Sequence, residues 1–172
     1  MKREIKFRAW IPELGIMLND ITLYGNGQMG YDEDEFKAAL PKDYVLDYDS
    51  SSVIKNYIND EGYEDFDKVI PVLLGEDWIW LEDSEFEPMQ FTGLKDKSGK
   101  EIYEGDIIKM GDNPECWFAP RVVEFKNGAW MGGSCRIYTN QDKHDYQGDS
   151  NQDNWEIICN IFENPELLEA VA

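Results

Sequence analysis

The only histidine, His144, lies in Asp142-Lys143-His144-Asp145, and Asp149 and Asp153 follow in the same polar stretch. An imidazole among carboxylates is a donor set for a divalent cation. The spacing matches neither an H-E-x-x-H helix nor the twelve-residue calcium loop closed by a Glu. With 36 acids in 172 residues such clusters arise by chance, so this one reads as a solvated loop and no metal ligand is assigned. Gly105-Asp106 sets a carboxylate beside a glycine, but the pair reads better as a tight turn, with Asp bonding its own backbone two residues on before the next strand starts. Gly25-Asn26-Gly27 and Gly132-Gly133-Ser134 lack the Lys and the spacing of a phosphate loop. No G-x-S-x-G is present, and a Ser-His-Asp or Cys-His triad would have to use His144 with no signal for its partner. Cys116, Cys135 and Cys159 are odd in number and contain no C-x-x-C, which points to buried free thiols rather than a disulfide framework or a zinc knuckle. No catalytic residue, cofactor-binding residue or cofactor is assigned.

What remains to do chemistry is charge and aromatic surface. Sixteen Lys and Arg against 36 Asp and Glu give a net −20, so a phosphate backbone or an anionic membrane face is repelled over most of the surface. Residues 30–90 hold 18 acids and 4 bases, a net −14, and include Asp32-Glu33-Asp34-Glu35. Trp78 and Trp80 share one face of an apolar run whose other face is Ile79 and Leu81, so that run is expected to be buried on both sides or pressed against a second chain. Ordinary core is one reading. The other is a partner surface of Trp78, Trp80, Asp32, Glu33, Asp34 and Glu35, an aromatic centre with an acidic rim that selects basic partners. No apolar run approaches the roughly 18 residues of a membrane helix, and the start is amphipathic rather than a signal-peptide core, so the expected location is cytoplasmic.

The elements that must position these residues are mostly strands. At 42% hydrophobic and 13% aromatic the chain suits a single folded domain over residues 1–172, not an acidic disordered tail. Its first residues alternate, with Ile5, Phe7 and Ala9 on a dry face and Lys6 and Arg8 on a wet one. The acidic middle segment, residues 30–88, carries two expected short helices: one from Asp34 to Leu40, stopped by Pro41, and one over Val53 to Ile58, capped by Ser50, Ser51 or Ser52. Val69 to Leu74 and Trp78 to Leu81 read as strand or buried turn. Residues 89–172 read as β-rich. Turns are expected at Gly99, at Gly105-Asp106, and at Asn127-Gly128, where a type I′ hairpin needs positive φ at both positions. A second Asn-Gly is Asn26-Gly27. A long loop over residues 139–154, a last strand from Trp155 and a short terminal helix after Asn164-Pro165 complete the chain. The fold class expected is α+β and β-rich, with an SH3-like small barrel over residues 89–131 lined by Ile102, Ile107, Val122, Phe125 and Trp130.

The run Met89-Gln90-Phe91-Thr92-Gly93-Leu94-Lys95-Asp96-Lys97-Ser98-Gly99-Lys100-Glu101-Ile102-Tyr103-Glu104-Gly105-Asp106-Ile107-Ile108 resembles the hallmark block of the YopX family of phage and prophage proteins. The opening Arg3-Glu4-Ile5-Lys6-Phe7-Arg8-Ala9-Trp10 and the ending Asn160-Ile161-Phe162-Glu163-Asn164-Pro165-Glu166-Leu167-Leu168 match the same pattern in order, while Ile11 and Cys159 depart from it. The resemblance implies expression inside an infected or lysogenic bacterium and carries no catalytic residues with it. The first expectation is therefore a phage or prophage accessory protein acting as a non-enzymatic module that binds a host or phage protein, with homo-oligomerisation open. The alternative is an acidic mimic of nucleic acid that occupies a host DNA-binding protein. A metal-dependent enzyme using the His144 loop ranks third.

Overall fold

A computed structural model describes residues 5–25, 28–74, 78–81, 86–110, 120–137 and 155–165. The His144 loop, the Asn26-Gly27 turn, Cys116 and the expected helix from Glu166 lie outside the described residues. By compactness the chain divides into Lys6–Pro88 and a second unit of Met1–Ile5 with Met89–Ala172. The break at Pro88 and Met89 is where the text turns from acidic to hallmark.

The Lys6–Pro88 unit contains β1 (Phe7–Ile11), β2 (Ile16–Leu23), β3 (Met29–Asp32), α1 (Glu33–Ala39), β4 (Tyr44–Asp47), β5 (Ser52–Ile58), β6 (Glu64–Pro71), β7 (Leu73–Leu74) and β8 (Trp78–Leu81). Within it the larger sheet runs β1-β2-β3-β8-β7 and a smaller one runs β4-β5-β6, with the described pairings antiparallel. Ile11, Leu18, Met29, Phe36, Ile79 and Leu81 lie at the heart of its core. Arg8, expected on the wet face, is buried like Ala9, so both faces of β1 are covered. Val53 to Ile58 is a strand and not the helix expected. The serines do not cap a helix: the Ser50 N–H and Oγ donate to the Asp47 carboxylate, the Asp49 N–H donates to it as well, and Ser51 takes a φ of +48°. That closes a tight turn between β4 and β5, and β-branched Val53 and Ile54 then pair with strands on both sides.

The second unit contains β9 (Glu87–Lys95), β10 (Glu101–Tyr103), β11 (Asp106–Met110), β12 (Arg121–Lys126), β13 (Ala129–Gly132), β14 (Cys135–Arg136) and β15 (Trp155–Asn160). β9 pairs with β10, and a five-stranded sheet runs β14-β13-β12-β11-β15. No pairing among the described residues closes this sheet into the SH3-like barrel expected of residues 89–131. The fold is β-rich, with α1 as the one α-helix among the described residues. Ile102, Ile108, Val123, Trp130, Ile137 and Trp155 form the core, and Ile107 is buried too. Two expected lining residues differ. Val123 points inward on β12, which turns Val122 to the other face. Phe125 shares the inner parity and meets the Trp130 ring edge-on with centroids 5.0 Å apart, but it sits at the hairpin end and is 53% exposed.

Candidate functional site

The hallmark residues are the first place to look for chemistry, and their polar groups are bound up in backbone. Asp96 Oδ1 accepts from the Ser98 N–H at 2.8 Å, the Ser98 hydroxyl at 2.6 Å and the Lys100 N–H at 3.0 Å, while Oδ2 accepts from the Ile157 N–H on β15 at 3.4 Å. Burial pushes its pKa up, but the hydrogen bonds from Ser98, Lys100 and Ile157 outweigh that and hold it below the ordinary value. Gly99 turns the chain here at a φ of +91°, and the Lys97 N–H donates to the Trp155 carbonyl at 2.8 Å. Glu156 lies between Lys97 at 2.8 Å and Lys109 at 3.3 Å, and these two cations, Lys97 first, lower its pKa.

Gly105 and Asp106 act in the same way. Gly105 has a φ of +78°, its N–H donates to the Val123 carbonyl and its carbonyl accepts from the Ile161 N–H, so one residue links β12 to the end of β15. Asp106 is 0% exposed, and its Oδ2 accepts from the Tyr103 N–H at 2.8 Å, three residues back rather than ahead. Directly across the ladder stands Asn160, whose Oδ1 accepts from the N–H groups of Phe162 and Glu163 and whose Nδ2 donates to the Glu163 carboxylate. The Thr92 hydroxyl donates to the Ile102 carbonyl at 2.7 Å. Hallmark residues thus meet residues more than fifty positions further on to fix turns and strand ends, which is scaffolding work. Asn127 and Gly128 have φ of +53° and +77°, and Lys126 pairs with Ala129, so they form a two-residue hairpin turn.

A different arrangement occurs in the Lys6–Pro88 unit. Gly30 on β3 is opposite Trp80 on β8, and Asp32 is opposite Trp78. Tyr24 and Trp80 rings lie 4.6 Å apart at 52°. A Cβ on Gly30 would come within 3.1 Å of Tyr24 and 3.3 Å of Trp80, so the missing side chain is what lets both rings settle on the strand. Trp78 is 41% exposed and Trp80 half-buried, while Ile79 and Leu81 face the core. The expectation of burial on both faces therefore fails on the tryptophan side, because no element among the described residues of this unit covers it completely. The acids Glu33, Asp34 and Glu35 follow as the first turn of α1, so the predicted partner-surface residues do lie on adjoining elements.

Most of those acids already have local work. Asp32 Oδ1 caps the helix by accepting from the Glu35 N–H at 3.0 Å. Glu33 accepts from the Tyr48 hydroxyl at 2.6 Å and pairs with Lys37 at 2.5 Å; Lys37 and then Tyr48 lower its pKa, and Glu33 and then Tyr48 raise that of Lys37. Burial and then Glu35 raise the pKa of Tyr31. Asp34 stands fully outward, 3.8 Å from Lys37. The arrangement sets an apolar aromatic contact beside two exposed acidic residues, Asp34 and Glu35. Sequence reasoning missed Tyr24 and Gly30; the available signal was a glycine inside an otherwise regular strand. Among the described residues no three His, Cys, Asp or Glu side chains gather as a metal-ion cage, and no helix is long and apolar enough to cross a membrane.

No curated protein matches the chain. Its fold is similar to the crystal structure of protein EF1440 from Enterococcus faecalis, with a TM-score of 0.51 and 24% identity over 97% of this chain and 99% of that one. The family model described as YopX protein matches residues 6–169. The hallmark run, the opening, the ending and this match together place the chain in the YopX family.

Proposed function

We propose that this YopX-family chain is a non-enzymatic protein-binding module, a phage or prophage accessory protein that docks to a host or phage protein in the bacterial cytoplasm. The observation that carries the reading is the aromatic patch of exposed Tyr24 and Trp78 with half-buried Trp80, seated on Gly30 beside the acidic start of α1. Tryptophan and tyrosine dominate interface hot spots, and a rim of opposite charge orients the partner. The hallmark carboxylates support the same reading, since Asp96 and Asp106 hold backbone amides. The test is affinity purification from infected cells with wild type and Trp78→Ala. A partner captured by wild type and at least tenfold less by the variant, with unchanged thermal unfolding, is expected. Equal capture overturns the reading.

A second reading, the acidic nucleic-acid mimic, draws on the net −14 of residues 30–90. Asp32, Glu33, Asp43 and Asp47 are engaged in local bonds, which weakens it. It predicts that duplex DNA displaces the captured partner competitively, whereas the aromatic-centred module does not require this.

A further inference from the structure

The β5–β6 hairpin departs from the usual half-buried strand pair. Five successive residues of β6, Glu64 to Lys68, are exposed, and Phe66 is 55% and neighbouring Tyr63 68% exposed. A sheet that packs on a core buries alternate residues, so this half of the hairpin stands clear of the core on both faces. Its tip is nonetheless built. Asn59 Oδ1 accepts from the Glu61 and Tyr63 N–H groups, the Asn59 N–H donates to the Tyr63 carbonyl, and the Gly62 N–H donates to the Asn59 carbonyl.

The ladder then sets which backbone groups are open. Asn59 bonds to Tyr63, so the alternate pairs Tyr57–Asp65 and Lys55–Asp67 carry the β5–β6 hydrogen bonds. Glu64 and Phe66 therefore turn their N–H and C=O away from β5, and β6 is an edge of the β4-β5-β6 sheet. The Phe66 N–H donates only locally, to Asp65 Oδ1 at 2.9 Å. Charge says what can pair there. Among the described residues Asp60, Glu61, Glu64, Asp65 and Asp67 have no cationic partner, and burial and then Asp65 and Asp67 raise the pKa of Tyr57. Such a row of acids repels the same edge of a second copy, which is one way an edge avoids self-pairing. It attracts a strand whose alternate side chains are basic.

We propose that the β6 edge accepts an extended, lysine- or arginine-bearing segment of a partner protein as an added strand, its cations beside Asp65 and Asp67 and its apolar residues beside Phe66. This rests on the binding-module reading and adds the partner's chemistry and docking mode. The incoming carbonyl takes the Phe66 N–H and leaves the Asp65 carboxylate to a partner cation.

The probe is a synthetic seven-residue peptide alternating lysine and valine, with a glutamate–valine peptide and a lysine–valine peptide N-methylated on alternate amides as controls. The lysine–valine peptide is expected to bind at least tenfold tighter than either control and to slow hydrogen exchange at the Glu64 and Phe66 amides. Asp65→Asn with Asp67→Asn is expected to lose that advantage, while Trp78→Ala keeps it. Equal binding of the N-methylated peptide, binding without amide protection, or no binding overturns the proposal. Self-association that protects the same amides overturns it in favour of a second copy. Trp78-dependent capture alongside a silent hairpin would leave the binding-module reading standing.

Discussion

Asp96 gathers four donors from its own turn and from β15, so its charge is useful to the fold only while it is present. Its folded pKa lies below the ordinary 3.8. The stabilisation is thus complete above the unfolded value and is lost as pH falls through the folded one. Asp96→Asn is expected to cost about 1 kcal/mol at neutral pH, and the gap from wild type should narrow on acidification, read by urea denaturation at several pH values. A constant gap would remove the carboxylate from the account. At the other hairpin, Gly128→Val puts a branched side chain where φ is +77°. A loss of about 1–2 kcal/mol is expected, and unchanged stability would contradict the turn's demand for left-handed backbone.

Helix α1 shows how one acidic run divides its labour. Asp32→Ala removes the N-cap and should lower stability by about 1 kcal/mol, whereas Asp34→Asn, at a side chain 97% exposed, should stay within about 0.5 kcal/mol. Thermal melts of the two variants distinguish a helix start from a uniformly charged docking face. On the sheet beside it, Gly30→Val should force Tyr24 and Trp80 apart, since even a Cβ comes within 3.1 Å of a ring. Altered tryptophan fluorescence with reduced partner capture is the expected pair of readouts; unchanged fluorescence would mean that the rings adjust without cost.

Over the whole molecule a net −20 produces opposite salt effects on folding and on binding. Screening relieves self-repulsion, so the melting temperature should rise with salt. Association with a basic partner should slow as the Debye length shrinks from about 10 Å at 0.1 M to about 3 Å at 1 M. Stopped-flow association rates that ignore salt would exclude electrostatic steering by the acidic hairpin, whatever the melts show.

Much of this is legible in the sequence alone. The Asn127-Gly128 turn, the glycine-marked bends at Gly99 and Gly105, and the helix started by acids and stopped at Pro41 are local matters, decided by φ preferences and caps within a few residues. Charge and β-rich character follow from composition and period. Other features required the chain to meet itself. Val53 to Ile58 has serines that suit a helix cap, but pairing with β4 and β6 outweighs so weak a local preference. Asp106 facing Asn160, and Asp96 reaching Ile157, join residues more than fifty positions apart, and no local pattern encodes that register. The exposed tryptophan face and the bare β6 edge were decided last, because exposure depends on what fails to cover a strand as much as on its own residues.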